Sequence, residues 1–245
     1  MDVDTFADCI RALDVDLLAL QEVDVDQPRS GRADLTAVAA DAMGAVAHRF
    51  AATISGTPGA VWAAATGAEQ TGATAHGVAL LSRYPGRDWQ VVDPPPIPFR
   101  FPGYLPGARR VMLMDEEPRV AIAGCFDTPL GEVTAASTHL SFVPGWNRFQ
   151  LRRLCRELSA LPGPRLLLGD LNQPVAAAAR ISSGAVGQAL RKRSEARRDI
   201  DCAAADLDVL ARMGGRLVVP GGDEWPDAAF TAPVDADPDR REWLA

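Results

Sequence analysis

Two short apolar runs, far apart in the sequence, each lead into acidic or amide residues. The first run, 17–20, is followed by Glu22, and the second, 166–168, is followed by Asp170 and Asn172. In α/β proteins, ligand-binding groups gather at the carboxyl ends of buried strands. The sequence therefore predicts an α/β protein in which these two segments form the halves of one site.

Length and composition limit the number of domains and the kind of environment in which the chain folds. The chain has 245 residues, 47% of them apolar, which is enough for a full hydrophobic core, and we expect a single domain over 1–245. No run approaches the roughly 20 apolar residues of a membrane span, and the first residues are acidic where a signal peptide would be basic. We therefore expect a soluble, cytoplasmic protein with no stable membrane insertion.

Charge and cysteine usage narrow the function further. The 4 cysteines are spread singly, which is typical of reduced thiols rather than of disulfides or a zinc site. The formal net charge of −7 gives no general attraction for a polyanion. Small phosphoesters are therefore favoured over long DNA as ligands, and the basic stretch 191–198 is interpreted as a solvated helix face.

The pattern of apolar residues and turn signals predicts strands in hairpins with few helices. Predicted helices cover 4–13, 34–43 and 147–161, and predicted strands cover 16–20, 46–54, 78–81, 89–92, 111–114, 119–124, 132–137 and 165–168. The stretch 55–75 is predicted to be a surface loop, and the proline-rich stretch 94–106 is predicted to lack regular pairing. This order favours two mixed sheets packed face to face with helices outside, a layered α/β sandwich.

Glu22 is a candidate ligand for Mg²⁺. This ion prefers hard oxygen ligands and often takes only one or two protein carboxylates, with water completing its shell. An exposed Glu that opens a loop explains the residue equally well at this point.

His139, Asp170 and Asn172 are candidates for phosphoester chemistry. His139 follows a predicted strand and has the means to donate to a phosphate oxygen, although a hydrogen bond within the protein explains it too. Asp170 and Asn172 are two residues apart, so their side chains point the same way on an extended segment. Asp170 would poise water and Asn172 would hold phosphate. A turn without a catalytic role explains the same two residues equally well.

The order of four motifs resembles the endonuclease/exonuclease/phosphatase superfamily of DNase I-like phosphoesterases. The motifs are Leu-Gln-Glu ending at Glu22, the segment 77–83, Ser-Thr-His-Leu around His139, and Gly-Asp-Leu-Asn ending at Asn172. The resemblance implies a four-layered α/β sandwich that cleaves phosphoester bonds with Mg²⁺, or with Mn²⁺ as the alternative. It implies that Glu22 binds the metal and His139 hydrogen-bonds the phosphate. Asp170 would orient or activate the nucleophile, Asn172 would position the scissile group, and Arg83 would be structural.

The chain also departs from the family pattern. Members normally open with a strand that ends in Asn, and close with an Asp in a late strand followed by Ser-Asp-His; this sequence has no such triplet, and Glu242 stands where the late Asp is expected. We therefore expect a domain that lacks the usual first strand and terminal segment, with impaired hydrolysis.

Two classes of function follow from this comparison. The first is a metal-dependent phosphodiesterase, nuclease or phosphatase. The second is a non-catalytic relative that binds a phosphorylated ligand or partner. The substrate would be a small molecule, a lipid head group or a nucleic acid, and the sequence indicates no obligate protein partner.

Overall fold

A computed structural model describes residues 2–105, 109–129, 131–172 and 204–205. The helices are α1 (Val3–Leu13), α2 (Leu35–Met43) and α3 (Trp146–Ser159), with a short 3₁₀ turn at Pro28–Ser30. The strands are β1 (Leu17–Val25), β2 (Ala47–Gly56), β3 (Trp62–Ala64), β4 (Ala75–Ser82), β5 (Gly86–Val92), β6 (Phe101–Leu105), β7 (Arg110–Met114), β8 (Ala121–Thr128), β9 (Gly131–His139), β10 (Arg165–Asp170) and β11 (Ala204–Ala205).

The larger strands form two sheets. One has the order β1-β4-β2-β3 and is antiparallel throughout, and the other has the order β11-β10-β9-β8-β5. In the second sheet β10 runs parallel to β9, while its other pairs are antiparallel. A separate hairpin joins β6 to β7.

Packing arranges these elements in four layers. Val78 and Leu80 of β4 share one core with Ile122 and Phe126 of β8, and this core also takes in Leu154 of α3. A second core joins α1 and α2 to the outer face of β1 and β4. The order is therefore α1 and α2, first sheet, second sheet, α3, and the predicted layered α/β sandwich is confirmed.

Local chemistry fixes the helix ends. The Asp34 carboxylate accepts hydrogen bonds from Thr36 N and Ala37 N at the start of α2, and Gly44 ends the helix with a φ of 69°. Such an acidic N-cap satisfies backbone donors that have no partner within the helix, and glycine adopts positive φ without strain. The helix predicted over 34–43 is confirmed.

Two predictions about irregular segments are wrong. The stretch 55–75 contains the short strand β3, which pairs with β2, and the stretch 94–106 contains β6, which pairs with β7. Pro102 is compatible with β6 because this two-stranded hairpin leaves each strand one free edge, where a missing N–H breaks no ladder hydrogen bond.

Two sequence predictions lie outside the described residues, namely the solvated helix face at 191–198 and the late-strand position Glu242. Among the residues that are described, no helix is both long and apolar enough to cross a membrane.

Candidate active site

Glu22 lies in a bulge of β1 and not after the end of the strand. The predicted strand ends at residue 20, whereas β1 continues to Val25, and its register with β4 shifts between Leu20 and Val23. Glu22 has a φ of 56°, and its side chain is exposed at the wall of a cleft. Bulges are common next to active sites because they re-aim a side chain that regular pleating would place elsewhere.

His139 and Asp170 are brought together by the parallel pair of β9 and β10. They are register partners at the carboxyl ends of the two strands, and His139 Nε2 lies 3.4 Å from Asp170 Oδ2. Gly169 makes this close pairing possible, since a Cβ at its φ of 133° would lie 1.9 Å from Thr138 O. The glycine before Asp170 is therefore required by the backbone.

Asn172 acts both in a turn and in the cleft. Its backbone N donates to Asp170 Oδ1 at 2.7 Å, and its Nδ2 donates to Leu140 O at 2.8 Å. Asn147 of α3 donates to Asn172 O at 2.6 Å. These bonds fix the residue at a φ of 50°, so the turn interpretation holds, and Asn172 also lines the cleft.

All four predicted site residues line one cleft of about 520 Å³ between the ends of the two sheets. Its acidic members are Glu22, Asp115, Glu116, Glu117 and Asp170, and its basic members are His76, Arg119 and His139. Trp62 and Phe142 add aromatic surface. Strand segments more than a hundred residues apart in sequence therefore meet at one cleft.

Sequence reasoning missed a buried network beside Glu22. Asp24 on β1 accepts two hydrogen bonds from Arg29, at 2.8 Å and 2.6 Å, and one from Ser30. His76 on β4 approaches the same carboxylate, with Nδ1 2.8 Å from Asp24 Oδ1. The available signal was the alternation of valine and aspartate directly after Glu22, which continues a strand pattern past residue 20.

The second missed feature is a buried ion pair on another wall. Arg119 Nη2 donates to Glu116 Oε1 at 3.0 Å, and the two side chains are only 10% and 2% exposed. Glu116 Oε1 also accepts from Phe142 N at 3.2 Å. The pair therefore ties the segment before β8 to the loop after β9 and places a fixed positive charge near His139.

The charges around His139 favour its neutral form. Burial lowers the pKa of His139 first, and the Arg119 guanidinium and His76 lower it further; Asp170 and Glu22 act in the opposite direction but do not outweigh them. A neutral imidazole has one N–H to donate and one nitrogen that accepts. Asp24 behaves differently: burial acts to raise its pKa, yet hydrogen bonds from Arg29, Ser30 and His76 lower it to about 2.

The described residues offer a divalent cation only a few protein ligands at this cleft. Within the described part of the chain, no group of three or more His, Cys, Asp or Glu side chains is placed to hold a metal. Glu22 nevertheless exposes a carboxylate to an acidic cleft that also contains Asp170. One protein carboxylate with water in the remaining positions suits Mg²⁺ and fits these residues better than a Zn²⁺ site, which needs several direct ligands.

A four-layered sandwich with this cleft defines a DNase I-like α/β protein. The chain belongs to the Endonuclease/Exonuclease/phosphatase family, whose sequence model matches residues 2–235. The superfamily predicted from the four motifs is therefore confirmed.

Solved structures with a similar arrangement include an endonuclease/exonuclease/phosphatase from Bacteroides vulgatus, at 16% identity and a TM-score of 0.48, covering 73% of this chain and 60% of that one. A mannosyl-6-phosphatase from Bacteroides thetaiotaomicron is similar at 11% identity and a TM-score of 0.45, covering 70% of this chain and 57% of that one. The chain therefore spans somewhat more than half the length of these two proteins.

A curated relative is similar over a much shorter stretch. A putative DNA processing protein, DprA, from Mycobacterium tuberculosis is 54% identical over 59 residues, which cover 24% of this chain and 15% of that protein.

Proposed function

We propose that this chain is a Mg²⁺-dependent hydrolase of phosphoester bonds, with Mn²⁺ as the alternative cation. The carrying observation is that Glu22, from the first sheet, faces the same cleft as His139, Asp170 and Asn172 from the second. Membership of a family of phosphoester hydrolases supports the reaction class. The chemistry needs a carboxylate for the cation, a donor for phosphate and a group that aligns water.

Each residue has a role that its environment supports. Glu22 would hold the cation, which when bound neutralises charge on the phosphoryl oxygens. His139, kept neutral by burial and Arg119, would donate its N–H to a phosphate oxygen. Asp170 Oδ1 is occupied by Asn172 N, so Oδ2 is the oxygen available to orient or activate the attacking water. The Asn172 amide would position the scissile group.

The cleft also bears on the substrate. It carries five carboxylates against three basic side chains, so a phosphate needs a cation to enter. The net charge of −7 favours a small phosphoester over duplex DNA, and we propose that the protein acts in the cytoplasm without an obligate protein partner.

The test is release of nitrophenol from bis-p-nitrophenyl phosphate by the full chain in the presence of Mg²⁺ or Mn²⁺. We expect release that stops with EDTA and in Glu22→Ala and Asp170→Ala. No release by the folded protein from this diester, or from the matching monoester, would refute hydrolysis. Mg²⁺-dependent binding of phosphate without turnover would instead support the non-catalytic alternative.

A further inference from the structure

His76 is a buried histidine at the wall of the cleft. One of its ring nitrogens contacts a carboxylate, and the other makes no hydrogen bond to the described residues. It lies on β4 opposite Asp24 of β1 in the antiparallel register and is 7% exposed. Its Nδ1 is 2.8 Å from Asp24 Oδ1, whereas Nε2 has no hydrogen-bond partner among the described residues. Nε2 is not fully buried, and the ring lines the cleft.

The surroundings of Nδ1 fix the tautomer. An ionised carboxylate only accepts hydrogen bonds, so the proton on the ring lies on Nδ1 and is donated to Asp24. Arg29 Nη2 is also 3.2 Å from His76 Nδ1. However, Arg29 Nη2 donates to Asp24 Oδ1 at the shorter distance of 2.6 Å, so the carboxylate is its hydrogen-bond partner. With the ring proton on Nδ1, Nε2 is the nitrogen that carries the lone pair and accepts a proton.

Asp24 is itself held firmly, so the ring has little freedom to turn. Arg29 and Ser30 both donate to the carboxylate, whose side chain is 5% exposed. A carboxylate that orients a histidine through Nδ1 is an arrangement that leaves the opposite nitrogen ready to accept a proton. A purely structural buried histidine would be expected to use both nitrogens within the protein.

The ring belongs to the same site as the other candidates. His76 lines the cleft that Glu22, Arg119, His139 and Asp170 also line. His76 comes from the first sheet, as Glu22 does, and faces the His139 and Asp170 pair of the second sheet across the cleft.

We propose that His76, aligned by Asp24, is a further catalytic residue that takes the proton from the attacking water; this rests on the proposed phosphoester hydrolysis. As the water oxygen bonds to phosphorus, its O–H bond breaks and the proton passes to His76 Nε2. The bond from phosphorus to the leaving oxygen breaks, and that oxygen keeps the electron pair and takes a proton from solvent. The imidazolium then returns its proton to solvent, and Asp170 serves to orient the water.

The experiment uses the full chain and the substitution His76→Ala, with bis-p-nitrophenyl phosphate and Mg²⁺. We expect kcat to fall by about 100-fold or more, as is typical when a general base is removed, and added imidazole to restore at least about tenfold. The exposed histidine of β2 supplies the control, because His48→Ala should keep wild-type kcat and show no response to imidazole. Rescue by imidazole separates proton transfer from a structural role.

A second variant and a second substrate keep the test decisive. His76→Gln retains most of the buried volume but lacks a basic nitrogen, so a folded His76→Gln should lose the same activity if His76→Ala fails to fold. A diester with an alkyl leaving group should show the same loss, because the proton comes from water in both cases. Wild-type kcat in either variant, or a loss without imidazole rescue in folded His76→Ala, would overturn the role of His76. An inactive wild type would overturn the proposed function itself.

Discussion

Asp170 Oδ2 lies 3.4 Å from His139 Nε2 because the two residues are register partners at the ends of parallel strands β10 and β9. Neighbouring parallel strands place their carboxyl ends at one edge of a sheet, so the contact follows from topology. Since burial and Arg119 keep His139 neutral, the pair is a hydrogen-bond donor beside a carboxylate and not a fixed ion pair. His139 would therefore remain free to donate to a phosphate oxygen, and Asp170 to orient water.

Asp170→Asn should lower phosphoester hydrolysis by about 100-fold to 10,000-fold while leaving the fold intact. The amide keeps the size of the side chain and still accepts from Asn172 N through its oxygen, but it lacks the negative charge with which the carboxylate would orient the attacking water. Steady-state kinetics with bis-p-nitrophenyl phosphate, together with circular dichroism, provide the measurement.

The matched control for this substitution is Asp41→Asn. Asp41 is exposed on α2, in the layer beyond the first sheet, so its charge is removed far from the chemistry. Asp41→Asn should keep wild-type kcat. Equal activity of Asp170→Asn and Asp41→Asn would remove Asp170 from the mechanism.

Glu22→Gln should weaken the dependence on Mg²⁺ more than it disturbs the fold. The exposed bulge tolerates an amide, but a neutral oxygen is a poorer ligand for a hard cation. The Mg²⁺ concentration for half-maximal activity should rise on the order of 10-fold to 100-fold. Glu157→Gln on the exposed face of α3 is the control and should leave the Mg²⁺ titration unchanged. A titration curve for Glu22→Gln that overlays the wild type would contradict the metal assignment.

The sequence predicted most helices and strands because their apolar spacing is regular and their ends carry clear caps, as at Asp34 and Gly44. It failed at β3 and β6, which are short strands at sheet edges or in a separate hairpin. Such strands bury little apolar surface, so their sequence carries little periodicity, and their existence depends on a partner strand that local patterns do not reveal.

The candidate site was predicted in part for a related reason. Glu22, His139, Asp170 and Asn172 stand in recognisable motifs next to strands, and the structure places all four on one cleft. The contact between Asp24 and His76 joins two residues that are 52 positions apart in the sequence. It exists only in one register of β1 against β4. That register depends on the bulge at Glu22, which a sequence pattern of alternating residues does not predict.

Gly169→Ala should destabilise the protein by at least about 2 kcal/mol, because the new Cβ meets the Thr138 backbone and the local φ is positive. The same clash would push Asp170 away from His139, so activity should fall as well. Chemical denaturation and kinetics measure the two effects.

Gly72→Ala separates the steric clash from the strain of a positive φ. Gly72 also has a positive φ, of 78°, but a Cβ there would meet nothing within 4 Å. It should cost only about 1 kcal/mol and leave activity unchanged. If both substitutions cost the same, then steric contact with Thr138 is not what requires glycine at position 169.

The Asp24 network should make stability depend on acid pH. The folded-state pKa is about 2 against an ordinary value of 3.8, because hydrogen bonds from Arg29, Ser30 and His76 outweigh the effect of burial. A lowered pKa stabilises the fold fully above the ordinary value, and this contribution is lost as the pH falls through the folded value. The unfolding free energy should therefore lose about 2 kcal/mol from this group between roughly pH 4 and pH 2.

Asp24→Asn isolates this contribution from that of the other carboxylates. The variant should be less stable at neutral pH, because Arg29 and His76 lose a charged partner, and the difference from wild type should shrink as the pH falls toward 2. Asp41→Asn, which removes an exposed carboxylate, should follow the wild-type curve throughout. Denaturation curves collected across this pH range decide the matter: a constant gap between Asp24→Asn and wild type would mean that the carboxylate titrates alike in the folded and unfolded chains. In that case the hydrogen bonds to Asp24 would only balance the effect of burial on its pKa and would not outweigh it.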